Sequence, residues 1–328
     1  DFGIPLKNDA TIRDGFFGRN TVKEVYDQIL KDLLEAEQEL EGFNQSSVIR
    51  VNQAAVQSLL SRVYLFMEDY ENSILYADKV ISNNNYQIFD LNKYVDGSEF
   101  ATRSNPENIF TTGLTIIAFT MHVLTDAPVG EFYQVSDDLR TNYSQQDLRL
   151  NAYFVQTSHG YLKSGKKRLE ENSSVTDASD TWLLRISELY LNKAEALAIL
   201  GHDTEAINAL QELRRNRFEP EDLSDITVAG AELVNFIRDE RRREFSFESH
   251  RWFDLRRYGV NSKYPFSKTI RHISYGYSGN GYYQNGYYEL KPYEQDRAAY
   301  VFPIAIDEIG FNNGQLTNED RPERPLVQ

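Results

Sequence analysis

The chain has no cysteine, which excludes disulfides, thiolate metal sites and cysteine nucleophiles. It has only 2 Trp and 2 Met. No apolar run approaches the ~20 residues that a membrane-crossing helix needs. Basic residues are in deficit, with 35 Lys and Arg against 50 Asp and Glu, a net charge of −15. The chain as a whole repels a polyanion, so nucleic acid is not expected as a partner. There is no signal peptide and no initiator Met. The opening DFGIPL reads as a loop, and the expectation is a processed or truncated piece of a longer protein.

Catalytic and metal motifs are equally scarce. His122, His159, His202, His250 and His272 are scattered, with no paired metal-ligand spacing. No G-x-S-x-G elbow occurs. GYLKSGKK at 160–167 has phosphate-loop spacing, but Lys167 stands where a magnesium-binding hydroxyl is needed. Asp137, Asp138 and Asp147 fall in one loop region without calcium-loop spacing. No metal and no cofactor is expected. Fifty acids always supply carboxylate pairs, so a glycoside-acting enzyme stays open as an alternative.

What the chain does have is tyrosine, 21 of them, with 19 Phe. Tyr combines a flat apolar face with a polar tip and suits half-exposed contact surfaces. It also has helical periodicity. In residues 21–41, Thr21 and Glu24 form a capping-box pattern, followed by a stripe of Val22, Val25, Ile29, Leu33, Ala36 and Leu40. NQAAVQSLLSRVYLFM, capped by Asn52, leads through a short break at 68–70 into ENSILYADKVIS. A second hairpin spans 181–217. Aligning 67–80 with 200–213 puts Ile74 on Ile207, Ala77 on Leu210 and Val80 on Leu213. Two versions of one helical hairpin, at 21–82 and 181–217, resemble tetratricopeptide repeats, which bury their apolar faces by stacking.

Residues 84–180 and 260–300 differ in texture. The first is rich in Asn, Ser, Thr, Gly and Asp with short β-leaning runs. The second reads as loop and contains YGYSGNGYYQNGYYEL. The expected fold is mainly α, a single domain over 1–328: a helical-repeat scaffold with long irregular loops and a few short strands. Insertions in repeat arrays often line a binding face.

The run ERRREFSFESHRWFDLRRYG packs arginines, carboxylates and aromatics together. A helix over 231–250 running on to 258 puts Glu240, Arg243, Glu244, Phe247 and Arg251 on the face of Leu233, Phe236 and Ile237. Glu248 then reaches Arg251, and Arg251 reaches Asp254. With seven Arg and five acids over 238–257, the run supplies its own counter-charges. A nucleic-acid patch does not, and no group is left unpaired for catalysis. The expectation is a partly buried ion-pair network of Glu240, Arg243, Glu244, Glu248, Arg251 and Asp254.

That run closely resembles the signature of the SusD/RagB family, approximately E-R-R-x-E-[LF]-x-[FL]-E-[GS]-x-R-[WY]-x-D-[LI]-x-R. DFGIPL is similar to the family's G-x-[VI]-P-L loop, TVKEVYDQILKDLLEAEQEL to its T-V-x-E-x-Y helix, and NQAAVQSLLSRVYLFM and LLRISELYLNKAEAL to its later repeat helices. YVFPIAIDEI with NNGQLTN resembles its [WF]-P-I-P-x-x-E-I ending. The family's N-terminal part, with its lipobox cysteine, has no counterpart in this sequence. The resemblance implies a SusD-like fold and a non-enzymatic protein on the outer face of the outer membrane. Such a protein is held by an N-terminal lipid anchor, captures glycans or sometimes peptides, and delivers them to a SusC-like TonB-dependent transporter. An intracellular tetratricopeptide adaptor is the other alternative. No family motif assigns ligand contacts. From composition, the candidates are Tyr277, Asn280, Tyr282, Tyr283, Asn285, Tyr287 and Tyr288, then Phe132 and Tyr133, since aromatic faces stack on sugar CH groups while amides bond hydroxyls.

Overall fold

A computed structural model describes residues 3–12, 15–43, 47–113, 134–156, 162–167, 178–179, 182–279 and 281–328. The backbone falls into two compact units. One comprises 37–254 with 262–264; the other comprises 1–36, 255–261 and 265–328.

The larger unit is built on helical hairpins. Helix α1, Val22–Glu39, belongs to the smaller unit over residues 22–36; the first hairpin of the larger unit is α2, Gln53–Phe66, with α3, Tyr70–Ile81. The Asn52 side chain caps α2 by accepting from the Ala55 amide at 2.8 Å, which satisfies one of the donors a helix start leaves free. Short helices α4 (Asp137–Arg140) and α5 (Arg149–Tyr153) precede the second hairpin, α6 (Ile186–Leu200) and α7 (Asp203–Arg214). Gly201 ends α6 at φ 91, the left-handed conformation that glycine adopts at no steric cost. Helix α8 (Gly230–Glu244) follows, and α9 (Arg251–Gly259) begins in the larger unit and continues from residue 255 in the smaller.

Small residues let these helices approach closely. Ser61 on α2 donates to the Ser73 carbonyl at 3.0 Å, and Ser73 on α3 donates back to the Ser61 carbonyl at 2.9 Å. Ala77 and Val80 on α3, and Leu210 and Leu213 on α7, are buried, as the alignment of the hairpins requires. Ile74 and Ile207 pack at the edge of the core shared by α6, α7 and α8. Residues 84–180 hold three short strands: β2 (Phe154–Gln156) pairs antiparallel with β3 (Leu162–Ser164), and β1 (Asn108–Thr111) with β4 (Leu183–Arg185), which leads into α6. The mainly helical, repeat-based fold expected from the sequence is the one observed.

Two local expectations fail. The helix read over 231–258 breaks after Glu244, and Phe247 and Ser249 take φ 61. Phe245 packs into the core of α6–α8, whereas Phe247 packs against a different cluster around Tyr143, Tyr153 and Phe154. Residues two apart on a helix point to nearly opposite sides, and here both sides must be filled while the chain turns, so the helix stops. In consequence Glu248 does not reach Arg251. It is taken up by Lys166 and Arg185 instead.

The second failure is in the smaller unit. The tyrosine stretch within 260–300 is not an irregular loop but an antiparallel hairpin of β5 (Ile270–Tyr277) and β6 (Tyr282–Leu290). Gly279 at φ 80 and Gly281 at φ 132 flank the turn between the two strands. The Thr21–Glu24 capping box is formed in this unit, with reciprocal bonds of 2.8 and 3.2 Å. A last helix, α10, spans Ile306–Phe311.

Candidate functional site

The hairpin sorts the candidate tyrosines onto two faces. Side chains alternate along a strand, and cross-strand partners share a face. Tyr277 pairs with Tyr282, Tyr275 with Gln284, Ile273 with Tyr287 and Arg271 with Glu289. These share one face. Gly276 pairs with Tyr283 and His272 with Tyr288 on the other. The register shifts between Ser274 and Tyr275, so Asn285 is the extra residue of a bulge.

The first face is the richer one. The Tyr277 and Tyr282 rings lie 5.2 Å apart. The Arg271 guanidinium lies 4.8 Å from the centre of the Tyr287 ring and bonds Glu289 at 3.1 Å. Tyr275 and Tyr277 are one strand repeat apart, about 7 Å, and are 41% and 49% exposed. The result is a row of half-exposed aromatic rings bordered by Gln284, Arg271 and Glu289. On the opposite face Tyr283 lies over Gly276, where a Cβ placed on the glycine would come within 2.6 Å of the ring. The outer edge of β6 is closed by the C-terminal tail: Tyr287 and Val327 exchange two backbone hydrogen bonds of 2.9 Å.

Of the sequence candidates, Tyr277, Tyr282 and Tyr287 therefore share one face, Tyr283 and Tyr288 share the other, and Asn285 sits at the bulge. Asn280, Phe132 and Tyr133 lie outside the described residues. Tyr275 was missed by sequence reasoning, although its i, i+2 spacing to Tyr277 is the signal that groups them.

The charged signature residues from Glu240 to Asp254 belong to the larger unit. Glu244 is the hub. It accepts from Arg217 at 2.9 and 2.8 Å, from Arg185 at 2.6 Å, from Arg149 at 3.1 Å and from the Tyr153 hydroxyl at 3.0 Å. Glu107 bridges Arg185 and Arg217, each at 2.6 Å. Glu240 pairs with Arg149, Arg214 and Arg243, and Asp254 with Arg241 at 3.1 Å. Arg251 opens α9 and is half-buried. Burial pushes the Glu244 and Glu240 carboxyls up, but the guanidinium groups beside them outweigh it and hold both below the usual carboxylate range. Burial lowers the Lys166 ammonium to about 8 against the opposing pull of Glu248. Buried carboxylates saturated by arginines are held in place and are not available as acids or bases.

The three loop aspartates are dispersed among ion pairs: Asp147 with Arg149, Asp138 with Arg242 and Asp137 with Arg140. In the phosphate-loop-like stretch, Leu162–Ser164 is strand β3, and Lys166 and Lys167 are both buried.

A family profile described as "SusD family" matches residues 129–320, and one described as "Starch-binding associating with outer membrane" matches residues 2–65. A SusD-like protein of Formosa agariphila is 24% identical over an alignment of 311 positions that covers 77% of this chain and 61% of that protein. The chain thus spans about three fifths of the length of this curated relative. A solved putative sugar-binding protein from Bacteroides vulgatus is 25% identical, with a TM-score of 0.70 over 95% of this chain and 69% of its own. A SusD superfamily protein from the same species is 23% identical, with a TM-score of 0.73 over 98% and 71%.

Proposed function

This chain belongs to the SusD family, and on that premise we propose that it captures glycans for uptake and contacts them through the Tyr275–Tyr277–Tyr282–Tyr287 face of the β5–β6 hairpin. The observation that carries the reading is that row of half-exposed rings flanked by hydrogen-bonding side chains. Sugar rings present CH faces that pack on aromatics and hydroxyls that pair with amides and charged groups. The description of the Bacteroides vulgatus relative as a putative sugar-binding protein supports the ligand class.

In this reading the protein works by binding and not by catalysis. Its densest carboxylate group, around Glu244, is neutralised by arginines and serves as architecture. The protein acts at the outer membrane, exposed at the cell surface, through a lipid anchor that precedes the residues present here. It passes its glycan to a SusC-like TonB-dependent transporter. Affinity electrophoresis through gels containing soluble polysaccharides tests the ligand class. Retardation by at least one glycan is expected, and uniform mobility across a broad panel counts against glycan capture.

A further inference from the structure

The larger unit carries a cleft of its own. It encloses about 650 Å³ between the start of α2 and the segments around Asn83–Tyr86 and Asn105–Ile109. That volume is in the range of small-ligand sites. Its lining is unusual for this chain. Charged residues make up 26% of the sequence, yet none of the 16 lining residues carries a charge, and seven are Asn or Gln.

Some of these amides are committed to structure. Asn52 caps α2 and donates to the Tyr86 hydroxyl at 3.2 Å. Asn105 donates to the Phe100 carbonyl and accepts from the Glu107 amide. Others are only half used. Glu37 accepts from Gln53 through its carbonyl at 3.1 Å and from Gln57 through its carboxylate at 2.9 Å. Both glutamine Nε2 groups are thereby oriented, and both Oε1 atoms are left without a partner among the described residues. Asn108 donates to the Thr102 carbonyl at 2.6 Å and keeps its Oδ1 open. The Asn85 side chain makes no hydrogen bond among the described residues. Phe43, 59% exposed, and Tyr86 supply aromatic surface.

We propose that this cleft is a second binding site for a neutral oligosaccharide, two to three sugar units being about what such a volume holds. An uncharged lining excludes phosphates and polyuronates, which need cations to offset their desolvation. Open carboxamide oxygens accept from sugar hydroxyls, and oriented amides leave little ordering cost on binding. Phe43 offers the face on which a sugar ring stacks. The ligand class rests on the glycan reading above, but the location rests on the cleft alone.

The test is hydrogen–deuterium exchange on the 328-residue chain with maltohexaose, cellohexaose, xylohexaose, mannohexaose and laminarihexaose, and with oligogalacturonate as a charged comparison. The expected result is protection of peptides covering 83–86 and 105–109 by a neutral oligosaccharide. Asn85→Ala and Phe43→Ala, at exposed positions where folding is checked by Tm, each weaken that protection about tenfold. Tyr277→Ala/Tyr282→Ala leaves it unchanged. Protection confined to the hairpin overturns the cleft proposal and leaves the first site standing. Protection of the cleft alone keeps this site and counts against the hairpin. Protection of neither, or of the cleft by oligogalacturonate alone, overturns the second site.

Discussion

Arg217 and Glu244 stand face to face with both guanidinium-to-carboxylate bonds made, Nε to Oε2 at 2.9 Å and Nη2 to Oε1 at 2.8 Å, and neither side chain reaches solvent. Glu244 lies on α8, whereas Arg217 follows α7. Arg185 and Tyr153 close on the same carboxylate from β4 and α5. One acidic side chain therefore ties four segments together. Removing it leaves three buried arginines short of a counter-charge. Glu244→Ala is expected to cost about 3–5 kcal/mol, read by urea denaturation. A loss under about 1 kcal/mol contradicts the hub assignment.

The same cluster sets the acid side of the stability profile. Burial, with Arg62 and Arg241 nearby, holds the His250 imidazole well below its ordinary 6.5. The unfolded chain therefore binds a proton that the folded chain refuses, and stability falls as pH drops below about 6.5, by up to about 1.4 kcal/mol per pH unit. The carboxyls of Glu107, Glu188, Glu240 and Glu244 are also depressed. Their contribution is fully present above the unfolded value near 4.5 and is lost progressively below it. Denaturation midpoints from pH 4 to 8 are expected to show both limbs, and His250→Phe is expected to flatten the upper one alone.

Gly286 takes φ 133, and a Cβ there would lie 2.3 Å from the Val327 carbonyl oxygen. Gly286→Ala is therefore strained twice, in backbone conformation and in contact, at a cost of order 1–3 kcal/mol. The change is local, so the expected readout is faster amide exchange at Tyr287 and Val327 with little change in global Tm. Unchanged protection at both amides contradicts the tail pairing.

The helices were legible because their signals are short-range. Asn52 as a cap, the Thr21–Glu24 capping box, and Ile74, Ala77 and Val80 at helical spacing all act within a few residues of one another. The ion-pair partners were not. Arg217 to Glu107 spans 110 positions and Arg185 to Glu248 spans 63, distances that leave no spacing pattern. The Phe245–His250 break was hidden because the charges continue at helical spacing while the two phenylalanines are drawn into separate cores. The hairpin was readable and was missed. Gly279-Asn280-Gly281 and Asn285-Gly286 between tyrosine-rich runs are turn and bulge signals, but the density of Gly and Asn read as loop. Without the hairpin register, Tyr283 and Tyr288 were indistinguishable from Tyr277, Tyr282 and Tyr287.

That division of the tyrosines gives the most direct test of the account. Titration calorimetry with a glycan that retards the protein compares Tyr277→Ala/Tyr282→Ala with Tyr283→Ala/Tyr288→Ala. The account predicts a loss of about ten- to a hundredfold in affinity for the first pair, from stacking worth about 1–3 kcal/mol in all, and a change within about threefold for the second. Equal losses in the two variants, or none in either, contradict glycan binding on the Tyr275–Tyr277–Tyr282–Tyr287 face.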